Sequence, residues 1–146
     1  MGLSSQFVLS ILNTGDDDFG SYASDGLNDA WQVGHFGLDN PMAGPAKDPD
    51  GDEQDNQFEF LAKLDPKNPD SFFNVYLQSV LNQPNQMEII LDPVFNDRTY
   101  SIFTKTELTQ PNWIAFSGPE ITVGNQRTVT DSNAGTRKFY QIRILE

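Results

Sequence analysis

Charge is distributed very unevenly along the 146 residues. Residues 1–70 carry 14 Asp or Glu against 3 Lys, and residues 71–146 carry 7 acids against 6 basic residues, giving net charges of −11 and −1. A half with so few cations cannot neutralise its own carboxylates by ion pairing. It must keep them apart in water or draw a cation from solution. The composition changes at "LDPKNPDSF", residues 64–72, where two prolines and turn-forming Asn and Asp mark a boundary near Asp70. The expected organisation is an N-terminal strand or linker over 1–15, an acidic module over 16–70 and a strand domain over 71–146.

Several function classes are disfavoured at the outset. A net charge of −12 repels nucleic acid and anionic lipid. No apolar run approaches the roughly 20 residues of a membrane-spanning helix. Met1 to Leu12 has an apolar centre but no Lys or Arg before it and no small-residue cleavage pattern, so it does not read as a signal peptide. Gln6 stands where a myristoylation signal has Ser or Thr. The chain has no cysteine, which removes disulfides, thiolate metal sites and cysteine nucleophiles. Its single histidine, His35, disfavours serine–histidine triads and multi-histidine metal sites, and is read as a residue at a helix end. Any metal here is expected to be bound through oxygen.

The second half reads as strands. "FFNVYLQSV", "MEIILD", "RTYSIFTK", "NWIAF", "EITV", "RTVTD" and "KFYQIRIL" have the period-two or β-branched and aromatic character of strands, and Pro, Asn, Asp and Gly clusters separate them. About seven short strands at this spacing predict a small antiparallel β-sandwich of immunoglobulin or fibronectin III style. Tyr140, Ile142 and Ile144 would face its core, with Trp113 as an anchor between the sheets.

The first half holds "DPDGDEQDNQFE", residues 48–59. A twelve-position calcium loop uses side chains at positions 1, 3 and 5, a backbone carbonyl at 7, a direct or water-mediated ligand at 9 and a bidentate carboxylate at 12. With Asp48 first, these positions fall on Asp48, Asp50, Asp52, Gln54, Asn56 and Glu59. Position 6, normally glycine, is Glu53. Phe58, Leu61 and Leu64 predict a helix leaving the loop and stopping at Asp65-Pro66, whereas "NPMAGPAK" ahead of it cannot be an entering helix. The arrangement is half of an EF-hand. A poorer copy, "SYASDGLNDAWQ", puts Asp25, Leu27 and Asp29 at positions 5, 7 and 9, but Ser21, Ala23 and Gln32 at positions 1, 3 and 12. Asp16 to Asp18 are placed to supply the missing oxygens, Asp16 and Asp18 foremost, and Leu27, Ala30 and Trp31 predict a short helix capped by Asp25 or Asn28.

The order "DGLNDAW…HFG…DPDGD…LDPKNPDS", followed by a strand domain ending in "FYQIRI", resembles the paired calcium-loop module related to thrombospondin type 3 repeats, common near the C-termini of large secreted bacterial proteins. The resemblance covers residues 16–71 and, more weakly, 72–145. It implies calcium ligation by Asp25, Asp29, Asp48, Asp50, Asp52, Asn56, Glu59 and the Asp65 of the "DP" element. It also implies an extracellular or cell-surface setting, with the chain part of a larger secreted protein or a monomer. The expected function is therefore not enzymatic: calcium rigidifies acidic loops beside a β-sandwich, in a structural or adhesive role. The alternative is a carbohydrate- or protein-binding β-sandwich that needs no metal, with Tyr76, Tyr100 or Trp113 on its ligand face. A glycosidase using two carboxylates is the remaining rival, and it lacks an acid in an apolar, aromatic setting.

Overall fold

The computed structural model describes residues 17–146, and the N-terminal strand or linker expected over 1–15, together with Asp16, lies outside them. The chain divides into two compact units after Phe72. Among the described residues the structure is mostly β, with two short α-helices and two antiparallel sheets of four and three strands.

In the acidic unit, a 3-10 turn at Gly20–Tyr22 precedes helix α1 (Asp29–Phe36), and helix α2 (Asn56–Ala62) follows the acidic loop. Both helices begin on an acceptor side chain. Asn28 takes the N–H of Trp31 and Asp55 takes that of Phe58, each satisfying a donor the helix leaves unpaired. α2 ends on Lys63 in the left-handed conformation (φ 59°), and the Leu64 N–H turns back to the Glu59 carbonyl. The helices meet through aromatic edges, with the Trp31 and Phe60 rings 5.6 Å apart, and Leu27, Ala43, Ala62 and Leu64 are buried beside them. The rings of Trp31 and His35 lie 4.8 Å apart in the last turns of α1.

In the β unit, the strands are β1 (Asn74–Ser79), β2 (Met87–Asp92), β3 (Thr99–Lys105), β4 (Ile114–Phe116), β5 (Glu120–Val123), β6 (Gln126–Asp131) and β7 (Phe139–Leu145). They form sheets ordered β1-β2-β6-β5 and β4-β3-β7, consistent with a small β-sandwich. The alternating pattern works where a strand has neighbours on both sides. On β2 the buried residues are Ile89 and Leu91, and Ile89 pairs with Val129 of β6. Ile102 of β3 lies between Phe116 and Ile142 in register. On the edge strand β1 the pattern buries little: Val75, Tyr76 and Leu77 are all exposed, and Phe73 just ahead of the strand is the buried residue. Trp113, expected as a core anchor, is only half-buried, with the Lys105 ammonium 5.0 Å from its ring centre.

Two details fix the ends of these strands. A Cβ on Gly118 would lie 2.2 Å from the Thr130 carbonyl oxygen, so only glycine lets the chain pass this close to β6 between β4 and β5. Asp131, almost fully buried, accepts hydrogen bonds from Lys138, Tyr140 and the Asn133 N–H. Burial alone would raise the pKa of this carboxyl, but these donors win and hold it below the usual range.

Candidate metal centre

Loop 48–55 is built by carboxylates folding onto their own backbone. The two Asp48 oxygens accept the N–H groups of Gly51 (2.7 Å) and Glu53 (3.0 Å), and Asp52 accepts that of Gln54 (2.8 Å). The ends are pinned from outside, Asn56 N–H to the Lys47 carbonyl (2.8 Å) and Gln57 N–H to the Pro45 carbonyl (3.0 Å). One carboxylate oxygen from each of Asp48, Asp50 and Asp52 then falls within 4.8 Å of the others, a cluster that can hold a metal ion.

What surrounds this triad makes it more than a polar surface loop. Glu59 is fully buried, and neither of its carboxylate oxygens has a hydrogen-bond partner among the described residues. The same holds for one buried oxygen each of Asp50, Asp52 and Asn56. Unpaired buried acceptors are costly, each by about 1–3 kcal/mol, and several gathered at one place call for a shared donor or cation. Asn56 shows the direction of this demand. Its amide NH2 donates to the Met42 and Gly44 carbonyls (2.8 Å each), which leaves its oxygen unmatched.

The electrostatics agree. Burial, then the neighbouring charges of Asp50, Asp52, Asp48 and Asp65, pushes the Glu59 carboxyl up to about 8. Burial and Asp52 likewise raise Asp50. No described ion pair brings a Lys or Arg to these acids. All the available donors are oxygens, which suits a hard cation.

Glu53 occupies its glycine position at φ 76°, in the left-handed region an L-side chain enters at a cost of about 1–2 kcal/mol. The loop keeps its form at the expense of local strain. Glu53→Gly removes that strain and one negative charge, against a small loss from the freer unfolded chain. A net stabilisation of about 0.5–1 kcal/mol is expected in thermal melts without added metal. A lower melting midpoint would mean that the Glu53 side chain itself holds the loop.

The first loop is organised differently from its sequence register. Asp17, not Ser21, acts as the first residue, its two oxygens accepting the N–H groups of Asp25 (3.0 Å) and Gly26 (2.8 Å), much as Asp48 accepts that of Glu53. The extra residues are taken up by the 3-10 turn, whose buried Tyr22 bonds the Gly37 carbonyl and the Asn40 N–H, while Ser21 turns to Asp39. Asp18 is exposed and contributes its N–H to Asp29 rather than its carboxylate to the loop. Asp29 is buried with one oxygen held by the N–H groups of Asp18 and Phe19 and the other without a partner among the described residues. Gln32, at the place of a bidentate acid, is fully buried and donates to Asp25 (2.7 Å) and the Ala43 carbonyl (2.9 Å). Leu27 belongs to the core. No metal-sized cluster of three acids forms in this loop among the described residues.

The remaining expected ligands are placed as follows. Gln54 is half-buried on the second loop, its N–H on Asp52. Asp65 lies outside the triad, half exposed, accepting the Lys67 N–H and sitting 3.8 Å from His35 Nδ1. His35 lies in the last turn of α1, and burial lowers its pKa more than Asp65 raises it. Of the run of three aspartates expected to complete this loop, it is Asp17, not Asp18, whose carboxylate reaches it. Among the strand-domain candidates, Tyr76 is half exposed, whereas Tyr100 stacks on Phe73 (6.1 Å) and binds the Phe95 N–H through its hydroxyl. None of the helices in the described residues is long and apolar enough to cross a membrane.

The fold and the site together define an acidic helix–loop unit with a metal-capable carboxylate cluster, joined in one chain to a unit of two antiparallel sheets. Compared with known proteins, the chain matches no family model, no curated protein and no solved structure.

Proposed function

We propose that the acidic unit is a calcium-binding structural module of an extracellular or cell-surface protein, and that the ion sits among Asp48, Asp50, Asp52, Asn56 and Glu59. The supporting observation is Glu59: a fully buried carboxylate with both oxygens unmatched among the described residues, raised in pKa by burial first and then by nearby carboxylates, among them the three aspartates gathered within 4.8 Å. Calcium accepts six to eight oxygens in flexible geometry, whereas magnesium demands a near-ideal octahedron. Asp48, Asp50 and Asp52 would supply the first face, and the α2 residues Asn56 and Glu59 would close it from the buried side. The ion would thereby tie the loop to the helix. Loop one, with neutral Gln32 in place of an acid, would contribute stiffness more than affinity. The β unit, of fibronectin III-like type in this reading, would carry contacts to a glycan or protein partner, in an adhesive role without catalysis.

Extracellular sites of this kind bind calcium at about 10⁻⁴–10⁻³ M. At the tighter end, millimolar calcium stabilises by about 1.4 kcal/mol, and each kcal/mol moves the midpoint of a unit this size by about 4–8 °C. A thermal melt followed by circular dichroism should therefore rise by several degrees in millimolar calcium. It should rise far less in magnesium and return to its starting value on chelation. Identical melts in all three conditions would end this reading.

A further inference from the structure

The β unit contains a cleft of about 250 Å³ where the chain leaves β4, passes Gly118 and enters β5. Leu91, Ile102, Phe116 and Val129 form its apolar wall, and Arg127 of β6 is the one cation among the described residues that line it. The guanidinium lies 5.4 Å over the Tyr100 ring, and its buried Nε has no hydrogen-bond partner among the described residues. The other basic side chains of this unit are engaged: Arg98 with Asp97 and Glu146, Arg137 with Glu107, Lys138 with Asp131, Lys105 with the Gln110 carbonyl and Arg143 with Gln141. Among the described residues, Arg127 is the one basic side chain of this unit with neither an ion-pair nor a hydrogen-bond partner. Glu120 lines the same cleft yet makes no ion pair with it among the described residues.

We propose that this cleft binds a small monocarboxylate with a compact apolar or aromatic body, its carboxylate on the Arg127 guanidinium and its body against Leu91, Ile102 and Phe116. Guanidinium and carboxylate match as a two-pronged, charge-assisted pair, and stacking on Tyr100 holds the fork in place. Apolar walls with a few convergent polar groups are the ordinary make-up of a small-molecule site. The hydroxyl of Ser117, also in the lining, can take a remaining carboxylate lone pair. The space is small, comparable to about eight liquid waters at roughly 30 Å³ each, which limits the ligand to the size of benzoate. A dianion such as phosphate is disfavoured because one arginine cannot balance its second charge. This inference is independent of the metal reading.

The test is a titration of the full-length chain, in calcium buffer, with benzoate, benzamide and inorganic phosphate, followed by amide NMR shifts. Benzoate should give saturable shifts confined to residues lining the cleft, and benzamide, of the same shape but uncharged, should bind at least about tenfold more weakly. Arg127→Met should weaken benzoate by a similar factor, with Arg127→Lys in between, since it keeps the charge and loses the fork. Should Arg127→Met fail to fold, the acid-against-amide comparison on the unaltered protein decides the matter. Equal binding of benzamide would make the cleft an apolar gap. Phosphate binding as well as benzoate would make it an unselective anion patch, and no saturable shift would make it a packing flaw. Each of these three results overturns the proposal.

Discussion

Glu59→Gln should act with opposite signs depending on calcium. In millimolar calcium the variant should be the less stable protein, because the substitution removes the one ligand able to bind the ion with two charged oxygens from the buried side. A loss of calcium affinity of about 100-fold, or roughly 2.7 kcal/mol, is expected. In a chelator above pH 8 the order should reverse. The wild type then holds an ionised carboxylate against Asp48, Asp50 and Asp52 in a buried place, and its carboxyl is pushed up to about 8 for that reason. Gln has the same shape and no charge, so it should stabilise the metal-free fold by something on the order of 2 kcal/mol. Thermal melts of both proteins in both buffers check this directly. A variant destabilised in both conditions would assign Glu59 a purely structural place, and one unchanged in both would remove it from the site.

Much of this architecture is visible in the residues before any coordinates, and the physical reason differs by element. Seven short strands can be read from the alternation of β-branched and aromatic residues, because a strand with partners on both sides must bury every second residue. The same rule misleads at β1, where an edge strand exposes Val75 and Leu77 and the pattern says nothing of what covers them. The second acidic loop is legible because its oxygens recur at fixed places over twelve consecutive residues. The first is not, because its opening aspartate is displaced by the 3-10 turn: Asp17 reaches Asp25 and Gly26 across eight and nine residues, a separation no fixed spacing anticipates. Nor does sequence predict that Gln32 and Asn56 would donate their amides to the carbonyls of residues 42–44. These bonds fix the loop between the helices and leave the buried side-chain oxygens of Gln32 and Asn56 without a partner among the described residues. The cleft at Arg127 has no sequence signal at all, since its lining is drawn from five strands of the two sheets.

Calcium affinity should climb steeply between pH 6 and pH 8, and the sign follows from Glu59. In the folded, metal-free protein burial and the nearby aspartates hold this carboxyl protonated up to about 8, against an ordinary value of 4.5. Between those two values the native state keeps a proton that the unfolded chain has released. The metal-free protein is therefore most stable below about pH 4.5 with respect to this group, and loses that advantage as pH rises through 8. Calcium reverses the demand, since a ligating carboxylate must be ionised and the ion must displace the proton. At pH 6, two units below the folded value, apparent affinity should be about 100-fold weaker than at high pH, and at pH 7 about tenfold weaker. Calorimetry in buffers of different ionisation enthalpy should find close to one proton released per ion at pH 6–7, falling toward none above pH 9. His35 stands apart from the Asp48, Asp50 and Asp52 cluster, and burial lowers its pKa more than Asp65 raises it. The two predictions are linked through one atom group: in Glu59→Gln the proton release should vanish and the residual affinity should lose most of its pH dependence. Release that persists in that variant would transfer the proton to Asp50, whose carboxyl is also raised by burial and by Asp52. A pH-independent affinity in the wild type would place the ion away from Glu59 altogether.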